Sequence, residues 1–186
     1  AMGVINRSTM MLLMPIFGIN QGSQPIIGYN YGAKKYDRVK KTLTLAATAA
    51  TLICVFGFIG AEVFSSQIIG LFNKEEELIS IGTRGIRIFL FALPIVGVQI
   101  VITNYFQSVG KAGKSIFLSL TRQVLFLIPL LFVLPRLFQL DGIWASGPVA
   151  DSLSAILAIT LMKKELRYLQ EKHDRTGNGP EGPEGA

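Results

Sequence analysis

Three neutral amides, Asn20, Gln21 and Gln24, sit so that at about 100° per residue they share one arc of a helix, roughly 100° wide. Gly18, Gly22 and Pro25 fall on the opposite side, where small residues would let a neighbouring helix come close. Farther along, Gln99, Thr103 and Gln107 recur at intervals of four, with Asn104 beside them. Amides and hydroxyls do not titrate at ordinary pH, and each offers donors, acceptors or both. In apolar surroundings such a stripe has two uses. It lines a wet cavity that holds a polar or cationic solute, or it bonds helix to helix with no solute at all. Both uses stay open for these seven residues, which are the candidate substrate-binding positions. Arg122 and Asp151 are the charges inside otherwise apolar runs, and there the choice is between a structural ion pair and a proton relay.

Other chemistry is missing. His173 is the one histidine, Cys54 the one cysteine, and neither has a partner at metal-ligand or nucleophile spacing. No glycine-rich phosphate loop and no triad spacing occurs, so the chain is expected to be no enzyme, to need no cofactor or metal, and to take its energy from an ion gradient or from another chain. Its net charge of +6 lies in short loops without a nucleic-acid motif, which argues against a nucleic-acid partner.

The elements that must position these residues follow from where charge is absent. Half of the 186 residues (50%) are hydrophobic and 16% are charged, against about 25% charged in soluble domains. Charge-free or nearly charge-free runs give five expected spans, over 8–30, 42–64, 86–107, 115–135 and 142–163. Each is close to the roughly 20 residues that cross a bilayer core as helix, the fold lipid imposes on backbone. The expected fold class is therefore all-α, a polytopic transmembrane helix bundle. Residues 1–170 form the bundle, and 171–186 are expected to be a disordered tail, rich in Gly, Pro and Glu toward its end. Asn73 with Glu76 three positions on reads as the N-cap of a surface helix.

Loop charge orients the bundle. Lys34, Lys35, Arg38, Lys40 and Lys41 follow the first span, Lys111 and Lys114 the third, and Lys163, Lys164, Arg167, Lys172 and Arg175 the fifth. The opposite side holds Arg7, Lys74, Arg84, Arg87 and Arg136. The richer side is expected to be cytoplasmic, putting the N-terminus of this piece outside, the C-terminus inside, and both in contact with membrane lipid.

A set of motifs in order then carries a resemblance. The run from Gly18 through Gln24-Pro25 and Gly28-Tyr29-Asn30-Tyr31-Gly32 to Lys35 resembles the multidrug and toxic compound extrusion (MATE) family, at its eighth helix and following loop. So do Leu71-Phe72-Asn73-Lys74-Glu75, Tyr105-Phe106-Gln107-Ser108-Val109-Gly110-Lys111, Arg122-Gln123, and Gly142-Ile143-Trp144 through Pro148-Val149-Ala150-Asp151, over about residues 3 to 170. The resemblance implies five spans of a twelve-helix, two-lobe transporter in the bacterial inner membrane, the N-terminal lobe being its missing partner. It implies cation-coupled export of small amphipathic organic cations by alternating access. Where some members carry an acidic cation ligand, this sequence has Val96, which argues against that ion site. A related flippase for lipid-linked oligosaccharides is the first alternative, disfavoured because Arg122 alone would face pyrophosphate. A truncated fragment without transport is the second.

Overall fold

The computed structural model describes residues 2–70 and 76–177, and every element among them is helical. In chain order they are α1 (Met2–Gly32), α2 (Tyr36–Gly70), α3 (Glu76–Leu90), α4 (Leu93–Ser108), α5 (Ala112–Leu120), a π-helical stretch over Thr121–Leu127, and α6 (Ile128–Gly177). The architecture is the expected all-α bundle, in five legs. By length and composition, Tyr36–Gln67 and Ala112–Lys172 are apolar enough to cross a membrane, and α3 with α4 would make a third crossing across a 45° bend. The 31 residues of α1 are long enough, but its amides and glycines leave it less apolar.

Ala112–Lys172 is 61 residues long, about twice what one crossing needs, and it holds two legs. Gln139 has φ 51° and ψ −124°, far from helix, and the chain reverses there. Lys111 pairs with Glu165, Arg122 with Asp151, and the Ser146 hydroxyl donates to the Leu130 carbonyl, as two antiparallel legs require. Gly142 makes the reversal possible, since a Cβ there would collide with the Leu134 carbonyl.

Apolar and polar residues are sorted inside out. Phe56, Leu125 and Phe132 are 69%, 62% and 68% exposed, whereas Asn20, Ser23, Gln99, Thr121 and Ser146 are buried. Large apolar side chains on the outside and polar ones within is the arrangement lipid solvent selects. The buried stripe of α1 is Ile16, Asn20, Ser23, Ile27 and Asn30, spaced alternately by four and three. Close approach comes at α4, where a Cβ on Gly97 would lie 2.9 Å from Cys54 Sγ and 3.0 Å from the Ala50 carbonyl oxygen of α2.

Four expectations need correction. The third span is not one helix: it breaks at Phe91–Ala92, because Pro94 at the start of α4 has no N–H for the Leu90 carbonyl and disfavours helix just before it. The fourth span is not uniformly α-helical. The tail is helical through Gly177, in a stretch of Glu, Lys and Arg that favours helix; 178–186 lie outside the described residues, as do Asn73 and the rest of 71–75. Gly18 and Gly22 receive no neighbouring helix, their Cβ positions being open.

The legs sort the loops. Tyr31, Lys40, Lys111, Lys114, Glu165 and Gln170 meet at one end. At the other, Arg84 pairs with Asp141, and Arg87 with Glu62 at 3.3 Å.

Candidate functional site

A cavity of about 400 Å³ opens between α1, α4, α5 and the π-helical stretch. Asn20 and Gln21 line it from α1, and Gln99, Thr103, Asn104 and Gln107 from α4. The α4 residues reach it together because intervals of three and four return to one face of a helix. Phe17 and Ile100 supply apolar wall, and Ser119, Arg122 and Gln123 close the far side.

Some of these polar groups are spent on packing. The Thr103 hydroxyl donates to the Gln99 carbonyl at 2.9 Å, and Asn104 Nδ2 donates across to the Asn20 carbonyl of α1 at 3.2 Å. The Ser23 hydroxyl donates to that same carbonyl at 3.1 Å. Others are not: the side-chain oxygens of Asn20 and Gln99 are buried without a donor. Of the seven amide and hydroxyl candidates, Gln24 alone lies outside this cavity. It is exposed, one position off the buried stripe of α1.

Arg122 lies in the π-helical stretch, whose closing bond runs from the Ile128 N–H to the Gln123 carbonyl five residues back. Pro129, with no N–H of its own, leaves the α ladder interrupted at that point. Arg122 Nε donates to Asp151 Oδ1 at 2.5 Å, and the side chains are 42% and 15% exposed. The arginine borders the amide-lined cavity on one side. On the other it shares with Asp151 a second, mostly apolar cavity of about 300 Å³ with Met10, Leu13 and Leu93 in its wall. Sequence spacing singled out both charges and the amides on each helix. It missed Phe17, Ser119 and Gln123, although Phe17 stands three and four positions before Asn20 and Gln21, and Ser119 three and four before Arg122 and Gln123, so helical spacing offered a signal for all three.

At the lysine-rich end, just past the fifth span, Glu165 is 3% exposed and held by two ammoniums, Lys111 and Lys114, the latter at 2.9 Å. Burial works to raise its carboxyl, but the two lysines outweigh that and hold it below its ordinary value. Lys111 also lies 4.9 Å from the Tyr168 ring centroid and 5.8 Å from that of Tyr31. Among the described residues no cluster of His, Cys, Asp or Glu is built to hold a metal ion. His173 stands in the last turns of α6.

Legs with large apolar side chains outward, around a polar cavity with an ion pair at its edge, have the build of a membrane helix bundle. The MatE family matches residues 1–133, and the chain belongs to it. Multidrug export protein MepA of Staphylococcus aureus (strain MSSA476) is 26% identical over 147 residues, covering 79% of this chain and 32% of that protein. MepA of Staphylococcus haemolyticus (strain JCSC1435) matches to the same extent, 26% over 147 residues. Among solved structures, the MATE multidrug transporter DinF-BH superimposes with TM-score 0.82 at 39% identity, over 88% of this chain and 36% of that one. An inward-facing MATE family transporter shares the fold at TM-score 0.83 and 20% identity, over 90% and 39%. The chain thus spans about a third of the length of these relatives. MATE proteins are transporters, not enzymes, and this chain is a membrane-type helical part of one.

Proposed function

We propose that these five legs form most of the second lobe of an exporter in the bacterial inner membrane. It would exchange H⁺ or Na⁺ for amphipathic organic cations by alternating access. The observation that carries this reading is the 400 Å³ cavity, walled by neutral amides and hydroxyls with apolar Phe17 and Ile100 among them. Such a wall suits solutes that are partly apolar and partly polar, and a deformable α1 with Pro15 and Pro25 beside it suits a cavity that changes shape. In this reading the cavity faces the first lobe, the lysine-rich end lies in the cytoplasm and the Gln139 turn outside. An oligosaccharide-lipid flippase is disfavoured because Arg122, the one cation on the cavity wall among the described residues, is already paired to Asp151.

The test is transport by the protein expressed from its gene at natural length. Gln99→Ala removes a cavity group and little packing, so protein abundance should hold while the order of resistance among several cationic drugs changes. Gln24→Ala, outside the cavity, should leave both unchanged. A Gln99→Ala protein that loses resistance to all drugs alike, in step with lower abundance, would sink the cavity reading.

A further inference from the structure

We propose that the outer groove between α2 and the fifth leg, at the lysine-rich end, binds the headgroup of an anionic phospholipid through Lys41, Lys163 and Arg167. The proposal rests on the membrane reading of the legs, not on export or on which end is cytoplasmic. Lys40 Nζ donates to Gln170 Oε1 at 3.0 Å, which sets the two helices side by side there. On α2 the buried stripe at this end is Tyr36, Val39 and Leu43, and on α6 it is Met162, Glu165 and Leu169. At about 100° per residue, Lys41 and Arg167 each stand across their helix from that stripe. Lys163 stands about 40° from Arg167, on the side of Gln170. All three therefore turn outward beside the contact, and all three are exposed.

Their depths suit a headgroup. At a rise of about 1.5 Å per residue, Arg167 lies about 4.5 Å deeper than Gln170, and Lys163 about 10 Å deeper. A lysine at that depth reaches the polar layer by laying its stem along the helix. Other cations at this end are committed: Lys111 and Lys114 hold Glu165, and Lys40 holds Gln170. Lys41, Lys163 and Arg167 have no ion-pair or hydrogen-bond partner among the described residues. Asp37 and Glu171 are the acids on the same strip, set against these three cations and Lys40, so the groove keeps positive charge. Toward the bilayer centre the outward faces carry Leu45, Leu52 and Ile156, all exposed, as acyl chains require. A phosphate diester gains charge-assisted bonds in such a groove, whereas a phosphocholine brings its own cation and gains less.

The experiment measures binding of phosphatidylglycerol and phosphatidylcholine, with identical chains, to the purified natural-length transporter by native mass spectrometry from detergent. The wild type should bind its first phosphatidylglycerol about tenfold more tightly. Lys163→Gln combined with Arg167→Gln should bring the two lipids to within about twofold, and Lys41→Gln should cut the preference about threefold. Arg38→Gln combined with Lys164→Gln removes as much charge from faces turned away from the groove, and should leave the preference whole. Phosphatidylcholine affinity should stay constant throughout, which shows that each variant has folded. If the groove double variant loses that affinity as well, Lys41→Gln decides alone. Equal affinities in the wild type, or equal losses in the two double variants, overturn the proposal. Displacement of phosphatidylglycerol by inorganic phosphate overturns it too, by assigning the cations to a free anion.

Discussion

Lys34 and Gly110 end α1 and α4 in the same way. Each has a left-handed φ, 59° and 75°, and the N–H of the following residue turns back to a carbonyl five positions earlier, Lys35 to Asn30 and Lys111 to Phe106, both at 2.9 Å. This closure satisfies carbonyls that a helix end would strand, and glycine enters it without steric cost. Lys34 adopts the same conformation with a Cβ, at a cost of about 1 kcal/mol. Lys34→Gly should therefore raise the thermal unfolding temperature of the purified transporter, and Gly110→Ala should lower it, each by about 1 kcal/mol equivalent. A lower temperature for Lys34→Gly would mean that its side chain holds the turn by some other contact. At this scale the sequence was readable where one helical period governs: Gln99, Thr103 and Gln107 share a face by arithmetic alone. Gln24 shows the limit. The arc that groups it with Asn20 is wider than the stripe buried inside the bundle, and a sequence does not say where on the arc that stripe will fall.

The fourth leg shows what elements add. Its π-helical stretch carries Arg122 to a level where Asp151 meets it across the hairpin. Removing Arg122 strands the largely buried Asp151 carboxylate, which costs about 3–5 kcal/mol, whereas Arg122 left alone is 42% exposed at the cavity and loses less. Arg122→Met should lower thermal stability sharply and Asp151→Leu less so, and the double variant should recover most of the loss seen in Arg122→Met. A double variant as unstable as the sum of the two singles would show that each residue has separate partners. The two charges were legible as a pair because antiparallel spans bring positions near 122 and 151 to similar depth. The π turn was not, since Pro129 interrupts the ladder without specifying how the chain accommodates the interruption. Likewise the charge-poor run over 86–107 reads as one span, but the bend falls at Phe91–Ala92, just ahead of Pro94, where the lost N–H and the crowding before proline both act.

Across the whole molecule, the count of legs was legible from charge-free runs, and the sorting of loops from lysine and arginine. Both follow from lipid, which acts on every residue of a leg alike, so they survive errors at single positions. The cavity is a product of tertiary packing among separate legs and could be read only in halves. The orientation proposed for the bundle has a direct test in single cysteines on an otherwise cysteine-free transporter. At Lys35 or Lys164 a cysteine should react with a membrane-impermeant maleimide only in inside-out vesicles, and at Glu76 only in intact cells. Reaction of positions 35 and 76 from the same side would remove the five-leg topology.

A turn closed from residue i to i−5 holds one residue more than the α turns beside it. The fourth leg closes in this way between Thr121 and Leu127, as a regular helix would if one codon were inserted there. Before and after that codon, the leg is rotated by about 100° relative to an uninterrupted helix. A relative without the extra residue would direct the side chain aligned with Arg122 to another face, away from the fifth leg. Alignment with such a relative would need a one-residue gap across this stretch, whereas a relative that shares the π turn aligns its residue with Arg122 without one.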